Sequence, residues 1–151
     1  LNPFNASYSL QGVHHKHLDD KHVEVARLLH ERHILCFRGE GGEPEVDPSK
    51  ETILKICRQG NVEHISLIPE QRWELKPKAL DVKFLSSVWQ GASMHSYGEN
   101  TVISTLAALL ILLENKKQEQ AFADAKKLWK ARNGKRFLGV DAYLSSSFNI
   151  I

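Results

Sequence analysis

The stretch of the 151-residue sequence richest in groups able to do chemistry is Arg38-Gly39-Glu40-Gly41-Gly42-Glu43-Pro44-Glu45. Glycine-rich turns hold phosphates through backbone N–H groups when they open onto a helix N-terminus. This one leads toward a hairpin, and Glu40, Glu43 and Glu45 set negative charge against a phosphate. A structural turn is the favoured reading.

Other constellations are weaker. His14, His15, His17 and His22, with Asp19 and Asp20, could supply a zinc or nickel site, but no second cluster brings the remaining ligands at a recognised spacing, so solvated loop histidines are expected. Cys36 lies inside an apolar run, where a thiol is ordinarily inert. Ser145, Ser146 and Ser147 have no nucleophile-elbow sequence around them. Lys116, Lys117, Lys126, Lys127, Lys130, Arg132, Lys135 and Arg136 make the C-terminal third basic, with Trp129 interleaved. Such cations can bind phosphates in a salt-sensitive, sequence-blind way. Glu114, Glu119 and Asp124 dilute the patch, which favours a solvated helix face. Trp73, Trp89 and Trp129 read as packing residues rather than base-stacking platforms.

These residues need elements to hold them. Ser7 to Val13 reads as a strand end entering a loop. Asp19 and Asp20 are candidate caps for a first helix that ends near Glu31, in which Val25, Ala26, Leu28 and Leu29 recur at helical spacing. His33 to Phe37 is an apolar run too short for a helix and suits a strand covered on both faces. Strand, helix and strand make a βαβ unit, and a loop at the C-terminal end of such a strand is where α/β proteins place ligands. Glu51–Arg58 and Val62–Ile68 flank Gln59-Gly60-Asn61, with Gly60 and Asn61 tolerant of positive φ, which predicts a hairpin. Three helices follow. Asp81 to Gln90 carries Phe84, Leu85, Val88 and Trp89 on one stripe and stops at Gly91. The next, from about Tyr97 to Asn115, turns Val102, Leu106, Leu109, Leu110 and Leu113 into the core, and the last, Gln118 to Asn133, has a seam of Phe122, Ala125 and Trp129.

Composition bounds the class. With 42% apolar residues and a net charge of +2, the chain is globular and not strongly basic. Two cysteines without metal-ligand spacing point to reduced thiols in a cytoplasmic protein. The apolar run Val102–Leu113 is shorter than the roughly 20 residues of a membrane span, so no membrane partner is expected. The chain opens on Leu1 without a signal-peptide pattern. One α/β unit over 1–151 is expected, a piece of a longer chain with a loose tail at 134–151. Its sheet should be partly parallel, extended by the hairpin and flanked by helices.

Several of these segments, in this order, resemble the C-terminal part of the anthranilate phosphoribosyltransferase group, glycosyl transferase family 3. They are Leu1-Asn2-Pro3-Phe4; Gln11-Gly12-Val13; Ala26-Arg27-Leu28-Leu29; the loop Arg38 to Val46; the hairpin; and Thr105-Leu106-Ala107-Ala108-Leu109. Within the group, the loop and the following Asp47-Pro48 look most like the non-catalytic, DNA-damage-inducible paralogues that bind nucleic acid.

The resemblance implies that the glycine-rich loop for phosphoribosyl pyrophosphate, much of the anthranilate pocket and a basic DNA-contacting helix belong to sequence upstream of Leu1. The chain alone is then not expected to catalyse the family reaction. It also implies that the enzymes' Asp-Glu pair, which holds magnesium beside the pyrophosphate, falls on Pro44 and Glu45. Proline offers no side-chain oxygen to a hard cation, so Glu43 or Asp47 would have to substitute. The expected function is therefore sequence-independent nucleic-acid binding by a non-catalytic paralogue that needs no cofactor. Lys126, Lys127, Lys130 and Arg132 are the candidate contacts in this portion. The rival is magnesium-dependent phosphoribosyl transfer to an aromatic acceptor, with Glu45 and Glu43 at the metal. A homodimerisation domain is a third class.

Overall fold

A computed structural model of the chain describes residues 6–15, 17–39, 42–70 and 81–133. The N-terminal motif at 1–5, Glu40, Gly41, Trp73, and the tail with its serines, Lys135 and Arg136 lie outside them. Strands β1 (Ser9–Gly12), β2 (His33–Phe37), β3 (Thr52–Arg58) and β4 (Asn61–Leu67) form one sheet in sequence order. β1 and β2 run parallel, and β2, β3 and β4 run antiparallel. Helices α1 (Leu18–Leu28), α2 (Val82–Trp89), α3 (Ser96–Glu114) and α4 (Gln118–Ala131) complete an α/β fold with a mixed sheet.

The side-chain alternation of the strands divides the core between two faces. Leu35 and Phe37 of β2 and Leu54 and Ile56 of β3 join Ala107, Ala108, Ile111, Phe122, Ala125 and Trp129 of α3 and α4 in the larger cluster. Cys36 and Cys57 project to the other side and pack with Val13 and Val23 under α1. β2 is buried from Ile34 to Phe37, as its apolar run predicts.

Each expected element forms, but the expected inward face of α3 is corrected, and the apolar residues of α1 are not all buried. In α1 only Val23 and Ala26 are buried, while Val25, Leu28 and Leu29 are exposed, Leu28 by 61%. The helix ends at Leu28, and the Leu28–Leu29 pair at its C-terminus faces solvent. Asp19 and Asp20 do not cap this helix. His17 takes the cap position in the left-handed region (φ 79°), and the two aspartates occupy the first turn, where the helix dipole favours them.

In α3 the buried positions include Thr101, Ile103, Ser104, Ala107, Ala108, Leu110 and Ile111, whereas Val102 and Leu113 are exposed. The helix is apolar on most sides, and its small residues admit the closest approach of its neighbours. Length and a mean hydropathy of 1.3 would suit α3 to a membrane, but it is seated against β2 and α4 as a core helix. In α2 Val88 is buried, and Phe84 and Leu85 are partly exposed, by 39% and 40%.

The hairpin turn is one residue earlier than expected. Arg58 pairs with Asn61, so Gln59 (φ 49°) and Gly60 (φ 84°) take the positive angles, as a two-residue turn between twisted strands requires. At the far end of α3, the Arg58 guanidinium donates to the carbonyls of Ile111 and Leu112, in the last turn of the helix, where carbonyls lack a full set of helical partners.

Candidate functional site

The loop after β2 folds back on the C-terminal end of β1. A Cβ at Gly12 would collide with the backbone of Glu43 and Pro44, and one at Gly39 with the carbonyls of Glu43 and Glu45. Gly42 has φ +87° and lies against His14. These glycines serve close backbone packing. The Gly42 N–H donates to Gly39 O at 3.3 Å. The Val46 N–H donates to Thr105 Oγ1 at 2.9 Å, and that hydroxyl donates to Thr101 O at 2.8 Å. Both amides are thus spent inside the protein.

Asp47 is the buried carboxylate of this region. It accepts from Ser49 N–H at 2.9 Å, Ser49 Oγ at 2.6 Å and Tyr97 OH at 3.4 Å, and pairs with Lys50 Nζ at 2.9 Å. Burial works to raise its pKa, but the Ser49 donors and Lys50 outweigh it and hold the carboxyl below its ordinary value.

Glu43 and Glu45 are exposed, and Glu45 borders an open groove of about 210 Å³ with Thr101, Val102, Thr105 and Leu106. Among the described residues no three His, Cys, Asp or Glu side chains converge as metal ligands. Magnesium, implied by the resemblance, does not fit this donor set as an Asp-Glu clamp: Pro44 has no side-chain carboxylate to give, and Asp47 is already engaged by a lysine and two hydroxyls.

The histidines are not gathered into a centre. His14 and His15 meet edge to face at 4.8 Å, His22 Nδ1 is 3.1 Å from Gln11 Oε1, and His17 sits at the α1 cap. Asp19 and Asp20 turn instead to Lys55, whose Nζ is 2.8 Å from Asp19 Oδ2 and 2.6 Å from Asp20 Oδ1. Lys55 escaped the sequence reading. Its position within Ile53-Leu54-Lys55-Ile56-Cys57, in an otherwise apolar strand, was the available signal. Cys36, beneath this triad, has its thiol pushed up to about 12 by burial and by Asp19. Both cysteines are buried and free of disulfide bonds.

The basic candidates of α4 have different surroundings. Lys126 pairs with Glu70 at 2.5 Å and Lys127 with Asp124 at 3.0 Å, while Lys130 is exposed. Asp124 is held well below the usual carboxylate range by hydrogen bonds from Gln120, Lys116 and Lys127. Arg132 faces inward. Its guanidinium lies 3.6 Å from the Trp129 ring centroid and donates to the carbonyls of Val88, Trp89 and Trp129 at 2.8–2.9 Å. Trp89 and Trp129 meet edge to face at 6.0 Å. The structure thus groups Lys126, Lys127 and Lys130 on one helix and gives Arg132 a packing role. Glu43 and Glu45 lie in a separate loop.

A glycine-lined loop at the C-terminal ends of two parallel strands, tied to the helix that contains Thr105-Leu106-Ala107-Ala108-Leu109, is the arrangement against which relatives can be compared. The chain is similar to anthranilate phosphoribosyltransferases. It is 24% identical to the enzyme of Dictyoglomus thermophilum over 132 residues, covering 81% of this chain and 39% of the relative. It is 30% identical to that of Methanococcoides burtonii over 81 residues, covering 54% of this chain and 23% of the relative. No family model matches the chain. The chain spans less than half the length of the anthranilate phosphoribosyltransferases it matches. The similarity supports a phosphoribosyltransferase-like family.

Proposed function

We propose that the chain is the C-terminal portion of a non-catalytic, phosphoribosyltransferase-like cytoplasmic protein that binds nucleic acid without sequence preference. The observation that carries this reading is the loop chemistry. Pro44 stands where the resemblance sets a magnesium carboxylate, and Asp47, the buried acid beside it, is committed to Lys50, Ser49 and Tyr97. Without a metal bridge to the pyrophosphate, a basic surface is a means by which the described part of this chain would bind a phosphate. On α4 that surface consists of Lys126, Lys127 and Lys130, which would displace counterions and leave the bases unread.

The test is a fluorescence-anisotropy titration of the full-length protein with single- and double-stranded DNA of unrelated sequences over a range of salt. Affinity that is the same for each sequence and falls steeply with salt supports the reading. Absence of binding, or salt-independent binding, refutes it.

The open groove beside Glu45 favours a second reading, phosphoribosyl transfer to an aromatic acceptor. Its lining is largely apolar, apart from Glu45 and two threonine hydroxyls, and it lies at the sheet end where α/β folds bind ligands.

A further inference from the structure

We propose that His95 is a proton-sensitive latch on the entrance to α3: neutral, it holds the first turn of the helix in place beside the site loop and α4, and on taking up a proton it lets that turn go. His95 occupies the cap position, immediately before Ser96. Helix caps are usually Ser, Thr, Asn or Asp, whose side-chain oxygen accepts from a first-turn amide. Here the acceptor is a ring nitrogen, and the Gly98 N–H donates to His95 Nδ1 at 3.1 Å. That bond assigns the tautomer. Nδ1 must carry the lone pair, so the proton of the neutral ring sits on Nε2.

Gly98 belongs to the same device. A Cβ at this position would collide with His95 Nδ1, so a residue that ordinarily weakens a helix is what lets the ring lie over the turn. From α2, Phe84 meets the ring edge to face at 5.6 Å. The His95 side chain is half-buried, and a proton can reach it from solvent.

Histidine is the side chain suited to change charge between about pH 5 and 8. The cation carries a proton on both nitrogens, so Nδ1 no longer accepts from Gly98, and the new charge stands at the positive end of the α3 dipole. Both changes act against the first turn. The charged groups around the ring are committed elsewhere. On α3, Glu99 accepts at Oε2 from Trp129 Nε1 of α4 at 3.0 Å. On α2, Asp81 accepts from its own helix, at the Lys83 and Phe84 amides, and Lys83 is exposed. In the loop, Asp47 pairs with Lys50. Among the described residues none of these charges forms an ion pair with His95.

The contacts of the turn give the latch its reach. Tyr97 OH donates to Asp47 Oδ1 at 3.4 Å, and Glu99 holds the Trp129 indole. Releasing the turn loosens α3 from the site loop on one side and from α4 on the other, whichever ligand the site takes.

The experiment is NMR on the full-length protein between about pH 8 and about pH 5. At the upper end His95 should be the Nε2–H tautomer. Towards the lower end, the protection of the Gly98 amide, corrected for intrinsic exchange, should fall by about tenfold or more while Ile56 stays protected, as expected of a local opening. The Trp129 indole proton should shift over the same range. His95→Asn supplies a cap that does not titrate and should keep Gly98 protected at both ends. An Nδ1–H tautomer at the upper end overturns the proposal, as does Gly98 protection that ignores pH. An equal fall in His95→Asn also overturns it, because another group is then responsible, and an unmoved Trp129 indole overturns the release of α4.

Discussion

The Val46 amide and the Thr105 hydroxyl, 59 positions apart in sequence, are joined by a 2.9 Å hydrogen bond. That contact fixes the glycine-acid loop on α3. Together with the close approaches at Gly12, Gly39 and Gly42, it packs the described part of this glycine-acid segment against β1 and α3.

Thr105→Val keeps the side-chain shape and removes the acceptor, leaving a part-buried N–H without its partner. A loss of about 1–2 kcal/mol is expected, with faster amide exchange at Val46. Thr105→Ser should retain most of the stability. Urea denaturation with exchange measurements checks both.

Lys55 between Asp19 and Asp20 sets a pH dependence. Burial raises the Asp19 pKa, but Lys55 outweighs it and the net shift is downward. Asp19 therefore stabilises the fold fully above its unfolded-state pKa, and that stability is lost as pH falls through the depressed folded value. Burial lowers the Lys55 pKa, but the two aspartates outweigh it and the net shift is upward. Its contribution is complete below the unfolded lysine pKa and is lost as pH rises through the folded value. Lys55→Met should flatten both limbs of a stability profile. It should cost about 2 kcal/mol at neutral pH, less than a fully buried pair because the Asp20 side chain is 60% exposed.

The Arg132 guanidinium over Trp129 is expected to act in stability. Arg132→Lys loses the planar fork and the stacking and should cost about 2 kcal/mol in thermal or urea unfolding. Lys126→Ala, Lys127→Ala and Lys130→Ala should leave stability within about 0.5 kcal/mol. On the nucleic-acid reading, each reduces the salt slope of DNA binding by about 1. A folded Arg132→Lys protein keeps that slope.

Cys36, its thiol raised to about 12, should resist alkylation at mildly alkaline pH, as should buried Cys57. Both thiols should react together once denaturant unfolds the chain. Thiol titration with and without denaturant measures this.

Much of the architecture was legible in the sequence because the signals were local. His33–Phe37 is too short and too apolar for anything but a covered strand, and Gly60 between β-branched runs marks a hairpin. The slip to Gln59-Gly60 follows from the Arg58–Asn61 pair, which only the ladder reveals. Faces were harder to read. A helix apolar on nearly every side, as α3 is, offers several equivalent stripes. Which one is buried depends on where β2 and α4 approach, and here the small residues Ser104, Ala107 and Ala108 decided it. In the candidate site, the expectation for Pro44 and Glu45 rests on residue type alone. The commitment of Asp47 to Tyr97, and of Asp19 and Asp20 to Lys55, joins residues 35–50 positions apart, a distance at which one sequence carries no pairing signal.

The proposed loss of the metal clamp is tested most directly by calorimetry of magnesium and phosphoribosyl pyrophosphate titrated into the full-length protein and its Glu45→Ala variant. The expected result is no saturable, magnesium-dependent heat that the substitution removes. A saturable, magnesium-dependent heat abolished by Glu45→Ala would contradict the account and restore the enzyme.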